Sequence, residues 1–389
     1  MRHLATVAVL CVLVPGAPAA AENAKLADAL VDLERAIEGE QNLSPEFKGA
    51  LSAVVTALRE EEASAPAAAP VSAGGGFWES VTPFADLRVR HEWDGRRGEE
   101  NRDRERVRLR LGANVDLGEN WSAGFRLRTG DPEDAQSPYH DLGRSSGREM
   151  FGSWELNIDR AFLRYRPTFL DGSWITAGKF AHAFAKNPIF GELVWDDDVN
   201  PEGLAAGYKF SPGSNVNVDL TFGQYLLVAN NDDSEVGAFV AQAAARVKAS
   251  EDLKLMLALG WYRYSNVDDA GAVGHNAGNL VVGGRYESDF RILHPIVSLS
   301  YTGLGIPVTL GGEYILNTGA KGLADDDDEG FALGVSVGQT KSPGDWQGFY
   351  QFQRIQQDAV FSAFAQDDFQ KSTNFRGHVF GVRYKLTSR

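Results

Sequence analysis

From Phe77 onward, apolar and polar residues alternate with a period of two. Val107, Leu109, Leu111, Ala113, Val115 and Leu117 interleave with Arg106, Arg108, Arg110, Gly112, Asn114 and Asp116. That is long for a soluble strand and suits a membrane-crossing one, which needs about 9 to 11 residues with one face for lipid and one for water. The pattern returns where Trp121, Ala123, Phe125 and Leu127 alternate with Arg126 and Arg128, and where Val216, Val218, Leu220 and Phe222 alternate with Asn215, Asn217, Asp219 and Thr221. Further copies run from Phe239 to Val247, Leu253 to Trp261, Val308 to Tyr314, Phe331 to Val337, Trp346 to Phe352 and Phe380 to Leu386. Aromatic residues fall near their ends, as interface girdles require.

Upstream the period is helical. Leu26, Leu30, Leu33 and Ile37 form one apolar stripe; Ser44 and Pro45 open a second helix striped by Phe47, Leu51, Val54, Val55 and Leu58. Ahead of them, Arg2 and His3, an apolar stretch from Leu4 to Pro15, and Ala19 to Ala21 have the three-part layout of a secretion signal cleaved after Ala21. The expected organisation is a signal peptide over 1–21, a helical periplasmic segment over 22–62, an Ala/Pro/Gly linker over 63–76 and a β domain over 77–389.

The connections alternate in kind. Short turns are expected near Gly118 to Asn120, Pro167 to Gly172, Ser211 to Ser214, Ala249 to Asp252, Thr302 to Gly305 and Lys341 to Gly344. Long polar connections are expected at 94–103, 131–153, 181–202, 225–236, 265–289, 317–329 and 356–373. The fold class expected is therefore all-β, a transmembrane antiparallel β-barrel of 14 strands, alternatively 16, preceded by a short N-terminal α-helical segment. Leu280 to Tyr286 is expected to extend the strand that starts near Phe290. A soluble β-sandwich or propeller, serving as a binding protein, shares the alternation and differs in burying the apolar face.

Composition narrows the choice. The 389 residues carry 53 acidic against 38 basic groups, a net charge of −15 that repels nucleic acid. The only cysteine is Cys11, within the signal, so the mature chain is stabilised without disulfides. After the signal no apolar run reaches the roughly 20 residues of a spanning helix.

Several short segments resemble the family of putative porins of Gram-negative outer membranes. They are Asp159 to Tyr165; Gly178 to Phe180; Val194 to Asp196 leading to Asn200 to Leu204; Asp289 and Phe290; Pro343 to Trp346; Asp358 to Val360 with Ala363, Phe364 and Asp367 to Phe369; and Arg376 to His378. The resemblance implies an outer-membrane channel, similar in outline to phosphate-selective, anion-type porins of 16 strands. Such proteins usually continue beyond the position of Leu386 into a final hairpin, whereas this sequence ends at Arg389. Analogy with general porins further implies a homotrimer set among lipid and lipopolysaccharide.

If the apolar side of each strand faces lipid, Arg88, Arg90, Arg106, Arg108, Arg110, Arg126 and Arg128 form a basic wall in the lumen, continued by Arg160, Arg164 and Lys179. The alternative is that these arginines serve structural salt bridges with Asp86, Glu92 or Glu105. In general porins the third long connection folds inward to form the constriction. That implies Glu192, Asp196, Asp197 and Asp198 opposite the arginines, with Asp197 facing Arg108 and Arg126, and a transverse field for small hydrophilic solutes and ions. Asp232, Asp233 and Asp325 to Asp328 read as solvated loop tips or loose divalent-cation sites. An outer-membrane hydrolase would need a histidine near a serine or carboxylate, yet His91, His140, His182, His275, His294 and His378 are scattered along the sequence. No metal-ligand spacing, phosphate loop or dinucleotide fingerprint occurs, so neither a metal nor a cofactor is expected.

Overall fold

The computed structural model describes residues 77–95, 101–143, 153–228, 235–267, 276–369 and 371–387. The expected signal, helical segment and linker lie outside these residues, as do Asp232 and Asp233. A short 3-10 helix, Phe77–Ser80, leads into β1 (Val81–Asp94), β2 (Arg102–Gly118), β3 (Trp121–Arg128), β4 (His140–Asp141), β5 (Asn157–Tyr165), β6 (Ser173–Lys179), β7 (Glu202–Gly213), β8 (Val216–Val228) and β9 (Val236–Lys248). There follow β10 (Leu253–Ser265), β11 (Val281–Val282), β12 (Arg285–Tyr286), β13 (Arg291–Tyr301), β14 (Val308–Asn317), β15 (Glu329–Gly338), β16 (Trp346–Ile355) and β17 (Phe375–Tyr384).

The domain is all-β, and its ladders are antiparallel. Each long strand pairs with the next, giving the path β1-β2-β3-β5-β6-β7-β8-β9-β10-β13-β14-β15-β16-β17. The expected strand count needs correction. Fourteen strands form this path, but the described residues contain seventeen, because long connections fold back and add two-residue pieces. In one of them His140 and Asp141 pair with Val107 and Arg106 of β2. In another, Val281 and Val282 pair with Tyr286 and Arg285, so Leu280 to Tyr286 is a separate hairpin rather than an extension. Gly283 and Gly284 lie between them at φ +61° and +81°, the left-handed pair that a two-residue reversal demands.

The expected short turns recur. At the first, Gly118, Glu119 and Asn120 all take positive φ. One face of the sheet is apolar and exposed, the other polar and buried. In β13, Leu293, Val297 and Leu299 are 37–46% exposed, whereas His294 and Ser298 between them are 5% and 7% exposed. A water-soluble sheet does the opposite; this inversion suits strands with hydrocarbon outside and a polar interior.

Two connections fill much of that interior. Phe180, Phe184, Leu193, Val194 and Trp195, between β6 and β7, pack with Val360, Phe361, Ala363 and Ala365, between β16 and β17, against Tyr225, Tyr262, Tyr264 and Phe290 of the wall. The two connections are also joined by backbone bonds, Asp196 N to Phe364 O (2.8 Å) and Gln366 N to Glu192 O (2.9 Å). The first connection touches the sheet on several sides. Ala185 N donates to Gln242 of β9 (2.6 Å), Asn187 Nδ2 to Glu313 of β14 (2.9 Å) and Gln351 of β16 (3.2 Å), and Asn200 Nδ2 to Asp159 of β5 (2.7 Å). The sheet therefore curls around its own connection. Glycines provide the seat: a Cβ at Gly311 would run into Asn187, and one at Gly334 would lie 2.8 Å from Ile189.

The expected closure is not reached by hydrogen bonds. No ladder joins β17 to β1 among the described residues. With one neighbour missing, these edge strands expose their apolar side chains most, with Phe380 at 78% and Val89 at 70%.

Candidate functional site

The arginines concentrate on the interior face of β1, β2, β3 and β5, because every second residue of a strand shares a face. Registers Arg88↔Arg108, Arg90↔Arg106 and Arg110↔Arg128 stack them across strands. Such a cluster of like charges holds only if interleaved with carboxylates. Asp86 accepts from Arg108 Nε (3.0 Å) and Arg110 Nε (3.1 Å). Glu92 pairs with Arg90 (2.5 Å), Arg104 and Arg106 (3.2 Å), and Asp141 accepts from Arg106 Nε (2.9 Å). Asp159 pairs with Arg126 and, at 3.6 Å, with Arg128. Salt bridging to Asp86 and Glu92 is thus real. Glu105 stands on the opposite phase of β2 and binds His91 Nδ1 instead (2.9 Å).

Tyr139, from the connection after β3, lies among four guanidinium groups, with those of Arg90 and Arg106 4.4 and 4.8 Å from its ring centre and those of Arg88 and Arg108 at 5.7 Å. Neither Arg88, Arg160 nor Arg164 makes an ion pair among the described residues. Arg160 Nε donates to Asn200 Oδ1 (2.7 Å) and Arg164 Nε to Thr176 Oγ1 (2.7 Å). Lys179 departs from expectation. It pairs in register with Ala161 on the outward phase and binds Glu202 (2.8 Å), while its neighbour Gly178 takes the inward position.

A bulge explains the phase of β5. The β3–β5 register shifts between Arg126 and Leu127, so Asp159 and Arg160 both turn inward while Ile158 stays 68% exposed on the outer face. Asp159, 2% exposed, is the buried counter-charge that alternation alone assigns to no role. The sequence signal for it is the break in phase between Ile158 and Ala161. Tyr139, Asp141 and Asn200 have no such signal, since they reach the wall from connections.

The four acids of the 180–201 connection separate. Asp198 reaches Arg110 Nη1 (3.1 Å) and Arg108 Nη1 (3.8 Å). Asp197 does not face Arg108 and Arg126 as expected; Lys186 of the same connection binds it and provides the nearer charge. Asp196 accepts from the backbone N of Asp198 (2.7 Å), tightening the turn. Burial pushes Glu192 up to about 8, against the pull of Lys186. Burial, aided by Glu192 and Asp367, raises Asp196, and burial raises Asp198 despite its arginines. Burial also acts upward on Asp197, but Lys186 outweighs it and holds that carboxyl below the usual range. Asp367, on the last connection, rises to about 7 through burial and the neighbouring Asp368 and Asp134. Besides His91 with Glu105, a second histidine meets a carboxylate: His294 Nε2 lies 2.7 Å from Glu313 on the wall behind the inward connection. The arrangement sets a cluster of arginines on the wall against an acidic connection, with Asp198 in contact with Arg108 and Arg110.

Among known protein families, the one described as putative porin matches residues 79–280 and 286–389. Among solved structures, the chain is similar to Salmonella typhi OmpF in complex with daunomycin, at 11% identity over 78% of this chain and 96% of that one, with a TM-score of 0.44. It is similar to the outer membrane channel DcaP of Acinetobacter baumannii at 14% identity, 69% and 91% coverage and a TM-score of 0.34. The anion-selective porin from Comamonas acidovorans shares 13% identity over 71% and 89% of the two chains, with a TM-score of 0.39. No curated protein matches.

Proposed function

The chain belongs to the putative porin family, and on that premise we propose that residues 77–389 form a closed barrel in a Gram-negative outer membrane whose water-filled lumen passes small hydrophilic solutes and ions. The observation that carries this reading is the inverted burial, with leucines, valines and aromatics outward and arginine, glutamine and serine inward. An apolar band of that kind in water would drive aggregation; in lipid it is the ground state. That contrast disfavours a soluble binding protein.

Closure between β1 and β17 follows from lipid physics, because unpaired backbone groups of an open edge cost several kcal/mol each in hydrocarbon. β17 precedes its periplasmic end as β1 follows its own, so the seam is antiparallel. Contacts across the two ends support it: Arg90 lies 3.7 Å from Asp368, and Gln136 donates to the carbonyl of Ala365. In this reading the eyelet lies between the arginines of β1, β2, β3 and β5 and the 180–201 connection, with Asp198 as the bridge. Residues 1–21 act as the secretion signal, 22–62 as a helical periplasmic segment and 63–76 as a linker, and the barrel assembles as a homotrimer among lipid and lipopolysaccharide. Reconstitution in planar bilayers tests the central claim. Stepwise ohmic conductance with heat-modifiable gel mobility is expected; a chain that stays soluble and leaves bilayers silent overturns it. A trimer mass in mild detergent is expected, and a single-barrel mass removes the assembly.

A further inference from the structure

Beyond the eyelet, the periplasmic half of the same interior wall holds a guanidinium with no ion-pair partner among the described residues. Arg164 of β5 is turned inward two residues below Phe162 and four below Arg160, about 13 Å along the strand at 3.3 Å per residue. Its Nε donates to Thr176 Oγ1 at 2.7 Å, and its plane is held by aromatic rings, with the Trp174 centre 5.1 Å and the Phe162 centre 5.6 Å away. Among the described residues no carboxylate pairs with it, unlike Arg108, Arg110 or Arg126 above. With Nε occupied, Nη1 and Nη2 form the free end of the fork, the edge that receives two oxygens of one carboxylate.

The surroundings are apolar where a ligand body needs them. Glycines opposite the rings let them lie flat on the wall: Phe162 across Gly124, Trp174 across Gly207, and Phe84 of β1 across Gly112. Beside Arg164 opens a cavity of about 560 Å³, lined by Thr82, Asn114, Ser122, Phe162, Arg164 and Arg166. Its two acidic lining groups are Glu119 and Asp116, and Asp116 accepts from the backbone N of Gly118 (3.0 Å).

We infer that Arg164, Phe162 and Trp174 form a saturable subsite for small aromatic carboxylates on the periplasmic side of the eyelet. This rests on the channel reading and names a substrate class for it: the fork takes the carboxylate, and the rings take a planar ring that acetate lacks. The site is specific where the arginine wall above is diffuse, because there Arg90, Arg106, Arg108, Arg110, Arg126 and Arg128 already share carboxylates.

The test uses the full-length chain in planar bilayers, with benzoate, cyclohexanecarboxylate and acetate added to a chloride-carrying channel. Benzoate is expected to reduce the current saturably and at lower concentration than the other two. Arg164→Gln should raise the half-blocking benzoate concentration by about tenfold or more, as expected for loss of a charge-assisted bidentate bond. Trp174→Leu should bring benzoate close to acetate, and Lys254→Gln, a like charge on the far wall, should leave the benzoate block in place. Equal potency of the three acids on the unaltered channel overturns the inference, as does an unchanged block in Arg164→Gln; if that variant does not fold, the ranking of the three acids and Trp174→Leu decide. A silent bilayer with the unaltered chain refutes the channel instead, so the two failures are distinct.

Discussion

Asp198 touches Arg110 and Arg108, whereas Asp197 is held by Lys186 within its own connection. The two carboxylates, adjacent in sequence, therefore differ in what their removal does. Neutralising either should move the reversal potential in a salt gradient toward anions, and neutralising Arg110 or Arg126 should move it toward cations. Asp198→Asn and Arg110→Gln should also be non-additive, because they share one ion pair, while Asp197→Asn and Arg110→Gln should add. The shifts should grow as salt falls from about 1 M to 0.1 M, where the Debye length lengthens from about 3 to about 10 Å. Shifts of one sign for arginine and aspartate variants would remove the transverse field. The pH dependence follows from Glu192 at about 8 and Asp367 at about 7. Both folded values lie above the ordinary carboxylate range, so each group is neutral below its value and negative above it. Lowering pH through 8 and then 7 should therefore make the lumen less negative and the channel more anion-preferring; raising it costs folding stability by the same linkage. A flat reversal potential across that window counts against these two carboxyls in the pore.

At the scale of elements, the inward connection depends on bare backbone beneath it. Gly311 and Gly334 lie on β14 and β15 where Asn187 and Ile189 rest. Gly334→Leu should overpack this contact, at about 1–3 kcal/mol, and push the connection off its seat toward β2. Lower single-channel conductance with more noise is expected, with the barrel still heat-modifiable; unchanged conductance would mean that the seat does not set the gap. The strands themselves were legible in outline, since Val107 to Leu117, Phe239 to Val247 and Phe331 to Val337 each fall within an observed strand. The bulge at Asp159 and the hairpin at Gly283 and Gly284 were not read from the pattern, although a broken phase and a Gly-Gly pair mark them. A bulge inserts one residue, and simple alternation then assigns every residue beyond it to the wrong face.

For the whole molecule, the seam between β1 and β17 is the decisive surface. Arg90→Cys with Asp368→Cys, in a chain whose only native cysteine is Cys11, should be joined by a short bifunctional thiol reagent without loss of heat-modifiable mobility. Joining only between separate chains would mean that the edges meet a second copy rather than each other. The outer face offers an independent check. Leu259→Arg, at an outward position 54% exposed, should cost about 2–4 kcal/mol near the bilayer midplane and lower the yield of folded barrel in lipid. Arginine tolerated there without loss would argue against a membrane on that side.

Periodicity alone determined that the chain is a run of two-faced antiparallel strands with short turns alternating with long connections, because side-chain direction in a strand depends only on position parity. Parity likewise placed Arg106, Arg108, Arg110, Arg126 and Arg128 on one face. It could not say which acceptors meet the arginines, since Asp198, Asp141 and Asn200 arrive from connections 30 or more residues away in sequence from the arginines Arg110, Arg106 and Arg160 that they bind, and a connection has no period. Only the tertiary structure decided that Asp198 rather than Asp197 meets the arginines, that Lys179 points outward, and that Arg164 is left with two rings, Thr176 and no carboxylate among the described residues. Contacts of that range depend on how the sheet curls and where its glycines leave room, which are properties of the packed chain rather than of any segment of it.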